Sequence, residues 1–182
     1  MPQGGGTRSN EVTTTYLVDP YNHTGYAQVL EETIDDSSTT TLKTYTIGDD
    51  ILSQATDSSS AQHLLYDGHG STRQLANSSA AIVDAYSYDA YGVMLGGNPT
   101  ASNPAATNLL YAGEQFDVDA QQYYLRARWY NPLNGLFNQV DPFAGNNENP
   151  QSLHKYLYCH ANPVNNLDSS GQQTTFAEVI II

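Results

Sequence analysis

The stretch Tyr123–Gly171, YYLRARWYNPLNGLFNQVDPFAGNNENPQSLHKYLYCHANPVNNLDSSG, decides how this chain is read. Its first eight residues alternate. Tyr124, Arg126, Arg128 and Tyr130 fall on one face of an extended chain, and Tyr123, Leu125, Ala127 and Trp129 on the other. Tyr, Trp and Leu suit a pleated, half-buried surface. Asn131-Pro132-Leu133-Asn134-Gly135 then turns the chain, because Pro fixes φ and Gly accepts φ > 0. Leu136–Val140 returns as the partner strand. That hairpin puts Arg128 on one arm and Asp141 at the end of the other. Composition alone makes Arg126 and Arg128 outward residues of an antiparallel sheet.

Working outward, the same strand–turn alternation covers the N-terminal two-thirds. Val12–Val18 and Tyr26–Leu30 flank a turn at Asp19–Gly25. Thr41–Ile47 and Ile51–Gln54 flank Gly48-Asp49-Asp50. His63–Tyr66 and Thr72–Leu75 flank Asp67-Gly68-His69-Gly70. Ala81–Tyr91 and Leu109–Phe116 continue the pattern around a long loop at 96–108. Tyr, Asp and Gly recur at Tyr16, Asp19 and Gly25, at Tyr66, Asp67 and Gly70, and at Tyr88, Asp89 and Gly92. Such an array buries its apolar face only against neighbouring repeats. The expected fold is all-β, with serial antiparallel hairpins and at most short helical turns, one of them at 148–156. The expected core is aromatic: Tyr123, Leu125, Trp129, Phe137, Val140, Tyr156, Tyr158 and Val164.

Composition narrows the function classes. The chain has 182 residues and a net charge of −13, which opposes phosphate and anionic-membrane surfaces. Only 14% of residues are charged, unlike the high-charge composition of disordered chains. Fourteen tyrosines among many Thr, Ser, Asn and Gly favour strands with a neutral polar surface. The single Cys159 excludes an internal disulfide and reads as a buried, inert thiol. On a strand it would point away from the adjacent His160, against a Cys–His dyad or a two-ligand metal site. No histidine spacing matches a metal motif, so neither metal nor cofactor is expected. His69, between two glycines, reads as a turn residue. Exposed tyrosines also suit glycan stacking, and Asn22-His23-Thr24 and Asn77-Ser78-Ser79 fit the glycosylation sequon. Residues 1–11 read as a flexible lead, and 176–182 as the opening of an apolar segment.

YDGHGSTRQL at 66–75 and YSYDAYGVML at 86–95 resemble Rhs/YD-repeat proteins. YYLRARWYNPLNGLFNQVDPF and SLHKYLYCHANPVNNLDSSG resemble the Rhs repeat-associated core domain. The resemblance implies a curved YD-repeat ribbon, a partial shell, over 12–116. It implies a core-domain plug over 117–171 and the start of a variable region at 172–182. A secreted or cell-surface polymorphic toxin is the expected context. Its partner would be a C-terminal effector of the same chain, or a glycan or other cell-surface partner, and not nucleic acid.

In some members the core is an aspartyl autoprotease. The resemblance places its catalytic pair at Asp141 and Asp168, with Arg128 in support and a cleavage site at Gly171 and Gln172. Two carboxylates that share a proton can activate water and protonate a carbonyl. The family motif Asp-Pro-x-Gly-Leu here reads Asp168-Ser169-Ser170-Gly171-Gln172, and Gly-Arg-Phe reads Gly135-Leu136-Phe137. These departures predict impaired autoproteolysis and an intact chain. On the residues alone, Asp141 and Asp168 are also turn caps ahead of Pro142 and Ser169.

Overall fold

The structure, a computed structural model, describes residues 12–23 and 25–176. The expected lead at 1–11, Thr24 of the first sequon and the apolar run from 177 lie outside the described residues. The chain forms two compact units, divided between Gln62 and His63.

The first unit is a meander of four antiparallel strands: β1 (Thr13–Asp19), β2 (Gln28–Asp35), β3 (Thr40–Ile47) and β4 (Ile51–Thr56). Thr, Val, Ile and Tyr at most positions favour the extended backbone. Asp19, Asp35 and Asp36 end strands by accepting hydrogen bonds from amides two or three residues on. Inside the sheet, Tyr45 donates its hydroxyl to the buried Glu32 at 2.7 Å.

The second unit begins within β5 (Gln62–Tyr66) and continues with β6 (Thr72–Ala76) and β7 (Ile82–Ala85), again a meander. One turn recurs three times along it. Asp67, Asn77 and Asp89 each accept, on Oδ1, the amides two and four residues on, at 2.9–3.1 Å. The third residue after each, Gly70, Ala80 or Gly92, has positive φ. The Asp of the Tyr-Asp repeat is therefore a turn cap. Beyond Ala85 the expected strand stops, and Tyr88 and Met94 meet in a single bridge around the Asp89 turn.

A four-stranded sheet follows: β8 (Gln115–Asp117), β9 (Gln122–Leu125), β10 (Arg128–Asn131) and β11 (Leu136–Phe137), ordered β11-β10-β9-β8. Here the expected alternation fails. Arg126 takes φ 57° and, with Ala127, forms a two-residue turn pairing Arg128 with Leu125. What reads as one strand is a hairpin, and the faces swap at the turn. Tyr123, Leu125, Arg128 and Tyr130 are buried together, so Arg128 is not an outward residue. Tyr124 and Trp129 meet on the other face with ring centroids 5.0 Å apart.

Phe116, Tyr123, Tyr130, Phe137 and Tyr158 form a continuous aromatic core, each ring contacting the next at centroid distances of 4.9–6.3 Å, and Tyr158 also stacks on Tyr130 at 4.0 Å. Three tyrosine hydroxyls satisfy three successive carbonyls of the Asp89 turn. Tyr111 donates to Ala90, Tyr130 to Tyr91 and Tyr123 to Gly92, at 2.8–2.9 Å. Tyr, rather than Phe, is required wherever a buried ring must also satisfy backbone. Of the expected core, Trp129 is only half-buried, while Val140, Tyr156 and Val164 are exposed. The 136–140 strand ends at Phe137, which leaves Val140 outside the sheet.

The segment after β11 holds short 3-10 turns at Pro150–Leu153 and Tyr158–Ala161, then β12 (Asn166–Leu167) and β13 (Thr175–Phe176). The Tyr156–His160 run is not a strand. Cys159, His160 and Ala161 have φ of 48°, 52° and 59°. Cys159 is fully buried, and burial pushes its thiol up to about 12, which keeps it inert.

Candidate functional site

The Asn131–Gly135 turn brings β11 back beside β10 and carries the chain on to Asp141. The Asp141 amide donates to the Lys155 carbonyl at 2.9 Å, which ties this end of the hairpin to the following segment. Phe143 in turn donates its amide to Asp141 Oδ1 at 2.8 Å. Asp141 is thus a turn cap with one oxygen, and its Oδ2 is left to face β10.

Asp168 follows β12 and caps the turn Asp168-Ser169-Ser170-Gly171. Its carbonyl accepts the Gly171 amide at 3.2 Å. Its Oδ1 accepts the amides of Gln172 and Gln173, each at 3.0 Å, and the Ser170 hydroxyl at 3.3 Å. Like Asp141, it keeps Oδ2 free of the turn.

Both free oxygens meet one nitrogen. Arg128 Nη2 lies 3.0 Å from Asp141 Oδ2 and 3.2 Å from Asp168 Oδ2. The Arg128 guanidinium is 2% exposed and stacks on the Phe137 ring at 3.6 Å. Its Nη1 donates to the Lys155 carbonyl at 3.3 Å, and its Nε donates to the Gly171 carbonyl. The three residues singled out from the sequence therefore converge, and the Gly171–Gln172 peptide runs against the same guanidinium.

One cation facing two carboxylates leaves an excess negative charge in a poorly hydrated place. Burial raises the Asp168 carboxyl above its usual range, and Arg128 and the turn amides only partly offset this. Burial also lowers Arg128 from its ordinary value, opposed by both aspartates. Two carboxylates on one cation, with the Asp168 carboxyl raised, form the kind of pair that acid–base chemistry uses. Beside the cluster opens a cleft of about 230 Å³, lined by Arg128, Asp141, Asp168, His154 and the backbone segment Gln172–Thr174 among others.

Three contributors were not read from the sequence. Phe137 appeared only as a core residue, yet it is the platform for Arg128. Lys155 supplies a backbone carbonyl to both Arg128 and Asp141, a role that carries no side-chain signal. Glu114 is buried and bonds Arg126, whose Nη1 also reaches the Ser169 carbonyl.

No protein-family model matches the chain. It is 37% identical over 148 residues to the tRNA3(Ser)-specific nuclease WapA of Bacillus spizizenii. This chain is similar to one short segment of WapA. The match takes in 79% of this chain and 6% of that relative's length. A second relative, salivary gland surface protein 1 of Aedes aegypti, is 34% identical over 121 residues, 66% of this chain and 3% of its own length. Among solved structures, TcdB2–TccC3 without its hypervariable C-terminal region superposes with a TM-score of 0.65 and 19% identity. That superposition covers 91% of this chain and 8% of the other. The Photorhabdus luminescens Tc holotoxin pore gives 0.65 and 18% over 96% of this chain and 9% of its own. These structures share the serial-hairpin fold. Among the described residues, no helix is long and apolar enough to cross a membrane.

Proposed function

We propose that this chain is a scaffold segment of a secreted or cell-surface Rhs/YD-repeat protein. In this reading residues 117–171 are the Rhs repeat-associated core, and the whole presents or encloses a C-terminal variable region. One observation carries the reading. A tRNA nuclease and a salivary gland surface protein each match this segment, over 6% and 3% of their lengths. What these two proteins hold in common in so small a part is a framework, so nuclease activity does not transfer with it. TcdB2–TccC3 has a hypervariable C-terminal region, which supports the same division of labour. The test is to incubate the purified chain with total tRNA. Neither cleavage nor retention is expected at a net charge of −13. Cleavage of tRNA that a substitution within this chain abolishes would overturn the scaffold reading.

A second reading rests on the Arg128–Asp141–Asp168 convergence: the core severs its own downstream segment. Asp141 takes a proton from water as the water oxygen attacks the Gly171 carbonyl carbon. Arg128 Nε, already donating to that carbonyl oxygen, holds the negative charge that develops. The C–N bond to Gln172 then breaks as the proton taken up by Asp141 passes to the leaving nitrogen, which Asp168 Oδ1 holds by accepting its N–H. Intact mass on fresh protein decides between one species and two. With Ser169 and Gln172 in place of Pro and Leu, the wild-type chain is expected whole. Ser169→Pro with Gln172→Leu is expected to split it, and Asp141→Asn or Asp168→Asn to prevent this. The fragment mass distinguishes a cut after Gly171, favoured by Arg128, from one after residue 172, implied by the resemblance. A restored variant that stays intact makes the three residues a structural ion cluster.

A further inference from the structure

The Asp168 turn is held along the Arg126 hairpin at four successive points. The Gly171 α-carbon lies against the Leu125 carbonyl, Arg126 Nη1 donates to the Ser169 carbonyl, the Ala127 amide donates to the Ser170 carbonyl at 3.4 Å, and Arg128 Nε donates to the Gly171 carbonyl. Two of these contacts come from charged side chains: Arg128, which also meets the Asp141–Asp168 pair, and Arg126, which meets the turn at the Ser169 carbonyl. Its position is itself fixed by a second group. Arg126 Nη1 lies 3.0 and 2.8 Å from the two oxygens of Glu114, a carboxylate 8% exposed, just after the 3-10 turn at Tyr111–Gly113. The hairpin turn itself sets Arg126 at φ 57°, but burying Glu114 works against folding and is not needed to close that turn.

We propose that Glu114 and Arg126 are positioning residues for Asp168: their ion pair presents a guanidinium nitrogen to the Ser169 carbonyl and so fixes the Asp168 carboxylate against Arg128. Its effect on cleavage rests on the carboxylate-pair reading above; its effect on the turn does not. Burial raises Glu114 to about 7 against the pull of Arg126, so the partnership is held under tension rather than by default.

The amides of Gln172 and Gln173 report the carboxylate's position directly, since both donate to Asp168 Oδ1. Hydrogen exchange followed by NMR is therefore the test. In Arg126→Gln their protection is expected to fall about tenfold, while amides of β9 and β10 keep theirs. Arg126→Lys is expected to restore part of the loss, because an ammonium can still bridge Glu114 and the carbonyl. Should Arg126→Gln fail to fold, Glu114→Gln gives the same reading with a smaller change. Unchanged protection at Gln172 and Gln173, or an equal loss throughout β9 and β10, overturns the proposal and leaves the pair as a hairpin staple. In the Ser169→Pro, Gln172→Leu chain, Arg126→Gln is expected to slow cleavage about tenfold. If no chain cleaves at all, the protease reading fails, and the exchange result alone decides the positioning role.

Discussion

The turns at Asp67 and at Asp168 are built alike and used differently. Each aspartate accepts backbone amides on Oδ1, and each turn places a glycine with positive φ at its fourth residue, Gly70 or Gly171. Asp67 turns its second oxygen to Arg73, 3.8 Å away, where both side chains are more than a third exposed. Asp168 turns the same oxygen to Arg128, in a place that excludes water from both. A repeat that elsewhere only reverses the chain becomes a charged cluster once its free carboxylate oxygen is buried on a cation. The fold supplies the cap, and the burial supplies the chemistry.

The largest expected effect separates the two environments at their cations. Arg128→Gln strands two carboxylates in the interior and is expected to cost about 3–5 kcal/mol in urea unfolding. Adding Asp168→Asn should recover part of that loss, because one of the stranded charges goes with it. Arg73→Gln, beside the exposed turn, should cost less than about 0.5 kcal/mol. Equal costs for the two arginines would erase the distinction.

The glycines differ in a second way. A Cβ at Gly70 would meet nothing nearer than 3.8 Å, so Gly70→Ala carries only the left-handed backbone penalty, about 1 kcal/mol. Ala80 already occupies the equivalent position of the Asn77 turn at φ 60°. A Cβ at Gly171 would overlap the Leu125 carbonyl, a backbone atom that cannot swing aside. Gly171→Ala is expected to cost about 3 kcal/mol and to separate Asp168 from Arg128. Comparing the two melting curves checks this, and a Gly171→Ala chain as stable as Gly70→Ala would sink the close-docking account.

The order of hairpins was legible because Asp, Asn and Gly fix turns through local chemistry. Asp67 and Asp89 act on their own neighbours, so the sequence carries their whole mechanism. Arg126–Ala127 was illegible for the opposite reason. Neither residue favours a left-handed turn, and the alternation runs through them unbroken, so the hairpin hid inside an apparent strand. That error put Arg128 on the wrong face while leaving its partners right. The Arg128–Asp141 approach followed from the Asn131–Gly135 turn. Asp168 joined them only through a family resemblance, and Glu114, far upstream, had no signal at all. The pattern carries a strand through Val140, but pairing stops at Phe137, and no strand carries Val164 inward.

The next effect is read in pH. Glu114 is raised from 4.5 to about 7 in the folded chain, so between those values the folded state holds a proton that the unfolded state has lost. Its contribution to stability is therefore full below the unfolded value and is lost as pH rises through about 7. Asp168, also raised, acts in the same direction. Urea unfolding from pH 4.5 to 8 should show stability falling, with about 2 kcal/mol of the fall removed by Glu114→Gln. The repulsion of a net −13 chain adds a background of the same sign, and so the difference between the two proteins is the quantity to measure. Identical slopes would show that Glu114 does not titrate in this range.

The smallest effect tests the cap itself. If Asp67 serves only as an acceptor for the His69 and Ser71 amides, its charge is dispensable. Asn77 supports this, because it takes the amides of Ser79 and Ala81 at 2.9 and 3.1 Å in the same geometry without a charge. The ion pair that Asp67→Asn would remove, to Arg73 at 3.8 Å, is exposed and contributes little. Asp67→Asn is thus expected to change stability by less than about 0.5 kcal/mol, whereas Asp67→Ala, which leaves two amides without their acceptor, should cost about 1 kcal/mol. At Asp168 the same Asn substitution keeps the turn acceptor but leaves Arg128 with one carboxylate instead of two. A loss above about 1 kcal/mol for Asp67→Asn would mean that the repeat turns depend on charge as the Asp168 turn does, and that the contrast between the two is one of degree.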